Sequence, residues 1–167
     1  RKNGTTVRAW PDARYFESAD LPKAELVHML RSKAVLMPGV TITLTHEKSG
    51  DVQTWLYKGG LRDYLTQSLS YEPLIPLFEG EQYATGSDET FAEGEGAAWC
   101  VAFTEEGAHM RASYVNLIPT VAGGTHESGL KDGLFNAIKA FIEMHSLMPK
   151  GVKLMPDDVF SRASFVL

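Results

Sequence analysis

Gly123, Gly124 and Thr125 stand between an apolar run and a helix-like segment. A glycine loop ahead of a helix is an arrangement that can cradle a phosphate on backbone N–H groups. No lysine follows at the position that a Walker-type loop uses, and no G-x-G-x-x-G occurs, so a structural loop is the simpler reading. His126 and Ser128 are close enough in sequence to suggest an activated nucleophile. Residues two apart on one helix do not face each other, however, and no third residue that would orient the histidine is evident. His28, His46, His109, His126 and His145 are scattered, without the HExxH or CxxC spacing that a metal site would show. Cys100, the single cysteine, lies in an apolar run and reads as an inert core thiol. Asp157 and Asp158 would point apart on a helix and read as its acidic start. Residue chemistry alone therefore reaches a soluble α/β chain without an active site of its own.

The charge is unevenly spread. Between positions 63 and 110 there are ten acidic residues and no Lys or Arg, whereas the remainder carries 16 basic residues against 11 acidic ones. A nucleic acid would avoid the first region and could meet only the second. Its basic candidates are Arg8, Arg31, Lys33, Lys131, Lys139, Lys150 and Lys153. No apolar run approaches the roughly 18 residues of a transmembrane helix, so no membrane partner is expected. One cysteine fits a reducing compartment. The length of 167 residues suffices for one core. The chain lacks an initiator Met and ends on FVL, which reads as the start of a strand; it is expected to be a piece of a longer protein.

Elements follow from periodicity and punctuation. TTVRAW (5–10) is β-rich and stops at Pro11-Asp12. Asp20 is placed to cap a helix running to Leu36, with Leu26, Met29, Leu30 and Ala34 at helical spacing. Residues 40–45 alternate as a strand, Lys48-Ser49-Gly50 turns, and residues 51–57 return. Gly59-Gly60 opens a short helix with Leu61, Tyr64, Leu65 and Leu69. Residues 71–96 read mostly as loop, with a strand near Phe78. Residues 97–103 and 109–115 read as an antiparallel pair. The longest helix spans 127–145, with Thr125 as N-cap and a buried stripe of Leu130, Leu134, Ile138, Phe141 and Ile142. Pro156-Asp157-Asp158 starts a short helix, and residues 164–167 begin a strand. Strands mixed with helices and hairpins predict an α/β or α+β mixed sheet.

Five strings in order carry a resemblance: GTTVRAWPD (4–12), RSKAVLMPGVTI (31–42), WLYKGGLRDYL (55–65), YVNLIPT…GGTH…GL (114–130) and KGVKLMPDDVFSRASFVL (150–167). The first resembles the end of the ATPase domain in the B subunit of bacterial type IIA topoisomerases, and the rest resemble the transducer domain that follows. KAVLMPGV, YVNLIPT and KGVKL are more similar to the topoisomerase IV branch than to the gyrase branch.

This resemblance implies a ribosomal-protein-S5-domain-2-like transducer fold, a mixed sheet backed by helices, with a left-handed βαβ crossover. It implies residues 1–12 as the last strand of a GHKL ATPase domain, 13–20 as linker, and 21–167 as a transducer cut before its Gln-Thr-Lys loop. The implied activity is ATP-dependent duplex passage by an isomerase that relaxes or decatenates DNA and serves chromosome segregation. The implied cofactors of the full-length subunit are ATP and Mg²⁺, with none expected in this chain alone. The implied partners are DNA, the A subunit in a heterotetramer, and a second B subunit on ATP binding, all in the cytoplasm. Only Thr5 and Val7 match nucleotide-contacting positions, as a polar contact and an apolar wall of the adenine pocket. The catalytic residues of the family fall outside the chain, so it is expected to be inactive by itself. Two other readings stand beside this one: an independent nucleotide-binding domain of the same fold, and an interaction module with an acidic surface.

Overall fold

The computed structural model describes residues 3–87 and 89–167. The first two positions of the segment 1–12 and Asp88 of the acidic stretch lie outside the described residues. In chain order the elements are α1 (Lys23–Leu36), β1 (Ile42–His46), β2 (Asp51–Trp55), α2 (Gly60–Ser68), β3 (Phe78–Tyr83), β4 (Gly96–Phe103), β5 (Arg111–Ala112), β6 (Tyr114–Val115), β7 (Ile118–Pro119), α3 (Thr125–Met144), α4 (Pro156–Phe160) and β8 (Ala163–Val166).

The central sheet has the order β3-β4-β8-β5. The pairs β3–β4 and β4–β8 are antiparallel, and β5–β8 is parallel, so the sheet is mixed. The expected hairpin between 97–103 and 109–115 does not form. The last strand, β8, inserts between β4 and β5, with Val101 opposite Phe165 on one side and Arg111 opposite Phe165 on the other. The reason lies in its side chains. ASFV is buried at every position, which only a strand covered on both faces can tolerate. β5, with Arg111 exposed, takes the edge.

Alternation divides the core in two. Cys100, Ala102 and Val166 face Ala34, Val35, Tyr57, Tyr64 and Leu65 of the α1–α2 side. Val101, Ala163 and Phe165 face the other way, against Leu130 and Leu134 of α3 and Phe160 of α4. The sheet is thus backed by helices on both faces, the architecture expected. The parallel strands β5 and β8 are joined through β6, β7, α3 and α4.

Several sequence expectations shift. Asp20 does not cap α1; Pro22 occupies that position, and the Asp20 amide donates to Ser18 Oγ. The buried face of α1 is Ser32, Ala34 and Val35, while Met29 is 43% exposed, because the helix meets α2 and the sheet through its C-terminal turn. Thr125 is the first helical residue of α3 and Gly124 the cap. The α3 stripe is only half covered, and Phe141 is 56% exposed, its ring tilted 44° against that of His145 with centroids 4.3 Å apart. Residues 5–10 form no strand among the described residues; a strand needs a neighbour to take its backbone hydrogen bonds, and here Val7 is 84% exposed. The hairpin β1–β2 and the strand at Phe78 are present as read.

Candidate functional site

The apolar segment at 114 is two short strands, β6 and β7, joined by Asn116 and Leu117. Both joining residues have positive φ, +47° and +71°. A two-residue hairpin with both central residues left-handed matches the twist of its strands, and its preferred pair is Asn-Gly. Here a leucine stands where glycine is favoured. Helix α1 holds this hairpin at two points. Ser32 Oγ lies 3.3 Å from the Tyr114 hydroxyl, and Lys33 Nζ donates to the Leu117 carbonyl.

Past the hairpin, side chains from the two residues that flank it, Ser113 and Thr120, meet those at the start of α3. Ser113 Oγ and Thr120 Oγ1 are 2.6 Å apart, and Thr120 Oγ1 lies 3.1 Å from His126 Nε2. Ser113 Oγ also reaches Glu127 Oε2 at 3.3 Å, and Lys131 Nζ donates to Glu127 Oε1 at 2.6 Å. The Lys131 hydrogen bond holds the Glu127 carboxyl below its usual range, against an opposing effect of burial. The loop glycines make this arrangement fit. Gly123 has φ +73°, closed to most side chains, and a Cβ on Gly124 would come within 2.8 Å of the His126 ring. His126 therefore orients the loop through Thr120, six residues upstream, rather than pairing with Ser128. Sequence reading missed Ser113 and Thr120; their spacing of seven carries no signal until the hairpin folds them together.

The remaining candidates resolve into structural roles. Cys100 is fully buried, and burial, with Glu79 nearby, pushes its thiol up to about 11. Asp158 accepts the Met155 amide at 2.7 Å, fixing the start of α4 as expected. Of the basic candidates, Arg31 donates to the Tyr57 hydroxyl at 2.7 Å and lies over the Tyr64 ring. Burial, more than neighbouring Tyr114, pushes the Tyr64 phenol up to about 12. Arg8 pairs with Glu47 and Lys139 with Glu143, while Lys150 and Lys153 are exposed. Among the described residues, no group of three or more His, Cys, Asp or Glu could hold a metal. Thr5 and Val7 are exposed and do not join the His126 network. A cleft lined by Val35, Pro38, Gly60, Trp99, Leu117 and His126 runs from α1–α2 to the hairpin. No helix of the described residues is long and apolar enough to cross a membrane.

Residues 60–167 match the family model for DNA gyrase B. The chain belongs to the DNA gyrase B family. Within that family it is 41% identical to the B subunit of DNA topoisomerase 4 from Pseudomonas aeruginosa, an alignment covering all of this chain and 26% of that protein. It is 40% identical to the Escherichia coli K12 counterpart, again over all of this chain and 26% of the relative. The chain thus spans about a quarter of the curated relatives it matches. A solved topoisomerase IV ATP-binding domain of Francisella tularensis, in complex with a small-molecule inhibitor, matches with TM-score 0.69 and 34% identity over 94% of this chain and 40% of that one. The 43K ATPase domain of Thermus thermophilus gyrase B, at 21% identity and TM-score 0.72 over 93% of this chain and 41% of that one, shares the fold. The five ordered strings that carried the resemblance therefore pointed to the right family.

Proposed function

We propose that this gyrase B family chain is the transducer segment of a topoisomerase IV B subunit, with residues 1–12 ending an ATPase domain, 13–20 linking, and 21–167 forming the transducer. The observation that carries this reading is the 34% identity over 94% of the chain to a solved topoisomerase IV ATP-binding domain. In the full-length subunit, Thr5 would offer a hydroxyl and Val7 an apolar wall to the adenine of ATP. Both side chains are exposed, as that use requires. ATP supplies binding energy that differs between nucleotide states, and Mg²⁺ would be held by residues outside this chain. The segment's own contribution is mechanical: a sheet clamped between helices carries a displacement from the nucleotide side to the DNA side.

The partners on this reading are DNA, the A subunit, and a second B subunit once ATP binds, in the cytoplasm. The test is reconstitution. The full-length protein with its A subunit should decatenate linked DNA circles only with ATP and Mg²⁺, and the 167-residue chain alone should hydrolyse no ATP. Decatenation without ATP, or ATP turnover by the isolated chain, would overturn the proposal.

A further inference from the structure

The hairpin at 114–119 carries a conformation that its sequence disfavours. Asn116 tolerates a left-handed backbone through its short polar side chain, but Leu117 at φ +71° has no such compensation. Its carbonyl is taken by Lys33, whose ammonium has no carboxylate partner among the described residues' ion pairs. The clamp and the strain coincide: α1 contacts the turn at the residue whose backbone its side chain least favours. The same hairpin delivers Thr120 to Ser113 and His126, so the turn and the start of α3 belong to one chain of contacts.

We propose that Lys33 is a positioning residue, and that the Lys33–Leu117 contact links α1 to α3 as a two-position joint. This rests on the reading above, that the segment transmits a nucleotide-dependent displacement. In one position Lys33 holds Leu117 left-handed, and the Ser113–Thr120–His126 chain is closed. In the other, a shift of α1 withdraws the ammonium. Leu117 then relaxes to negative φ, the hairpin reorients, and Thr120 leaves His126. The two positions differ in a named hydrogen bond and a named dihedral angle, which is what a displacement needs in order to bias one over the other.

The test uses the full-length subunit, amide hydrogen exchange, and a non-hydrolysable ATP analogue. In the natural protein the analogue should change exchange in α1 and across residues 113–131. Lys33→Met keeps the apolar stem and removes the donor; it should speed exchange at 116–128 about tenfold without nucleotide. Combining it with Leu117→Gly supplies the preferred Asn-Gly pair, so basal exchange should return to within about twofold of the natural protein. The response of 113–131 to the analogue should nevertheless stay lost, because the link is gone. A merely structural lysine would be rescued in both respects. Survival of the nucleotide response in the double variant, or a Lys33→Met protein that exchanges at 116–128 like the natural one, would overturn the joint alone. Absence of any response to the analogue in the natural protein would overturn the transducer reading and the joint with it.

Discussion

Replacing Gly124 with alanine asks whether the second loop glycine makes room for His126. Gly124 is extended, with φ 162°, so alanine meets no backbone penalty there. Its Cβ would stand 2.8 Å from both Cε1 and Nδ1 of His126, and the ring must turn away from Thr120. The lost hydrogen bond costs about 0.5–1.5 kcal/mol, and a side chain driven off its rotamer costs about as much again. Against this, alanine narrows the unfolded ensemble and stabilises by about 0.4–1 kcal/mol. The net loss is about 0.5–2 kcal/mol, a fall in Tm of roughly 1–8 °C for a domain of this size. With His126→Ala already present the ring is gone, and Gly124→Ala should be neutral or should raise Tm. The assay is a double-mutant cycle by thermal unfolding, read by circular dichroism, and its signature is a change of sign. Gly123→Ala is the control: at φ +73° it should destabilise in both backgrounds by about 1–2 kcal/mol. Equal losses from Gly124→Ala with and without His126 would refute the steric argument.

Four further outcomes follow from the same contacts. Ser164 is fully buried and accepts the His109 and Met110 amides at 2.8 and 3.3 Å; Ser164→Ala strands them, so unfolding should lose about 1–3 kcal/mol in a denaturant titration. Cys100, with its thiol pushed up to about 11, should resist iodoacetamide at mildly alkaline pH until the chain unfolds, as mass spectrometry can follow. The lowered Glu127 pKa stabilises the fold fully above the ordinary value of 4.5, and that stabilisation is lost as pH falls through the folded value. Glu127→Gln should therefore be less stable at neutral pH, by about 0.5 kcal/mol for a pair still partly exposed to water, with the gap closing in acid melts. If Val7 lines an adenine pocket as proposed above, Val7→Asp in the full-length subunit should weaken ATP binding by about tenfold in calorimetry, as burying a carboxylate beside adenine would require.

What the sequence made legible was what local chemistry decides. The β1–β2 hairpin declares itself by alternation and a Lys-Ser-Gly turn, α2 by its glycine entry, and Cys100 by its apolar surroundings. What it hid was set by distant partners. β8 is four residues long, and nothing local says that it enters between β4 and β5; only burial on both faces selects that place. Residues 5–10 have strand composition, but the ladder that would make them a strand is not supplied by the described residues. The site divides in the same way. Gly123, Gly124 and Glu127 were visible as a loop and helix start, whereas Ser113, Thr120 and Lys33 acquire meaning only when the 114–119 hairpin brings them to it.

That division also settles what the glycine loop is built for. A phosphate cradle needs free amides and an unopposed positive helix end. At the start of α3 a carboxylate already sits in the first turn, where it takes the favourable end of the helix dipole and would repel an anion. Lys131, the cation beside it, is committed to Glu127. The Gly123 amide is also spent, donating to the Thr120 carbonyl at 2.8 Å. The left-handed backbone at Gly123 and the missing Cβ at Gly124 serve close packing between a histidine, a hairpin and a helix. A loop organised in this way fixes the angle at which α3 leaves the hairpin. α3 carries no fully buried side chain, so these hydrogen bonds act together with the packing of Leu130 and Leu134 on the sheet in setting that angle.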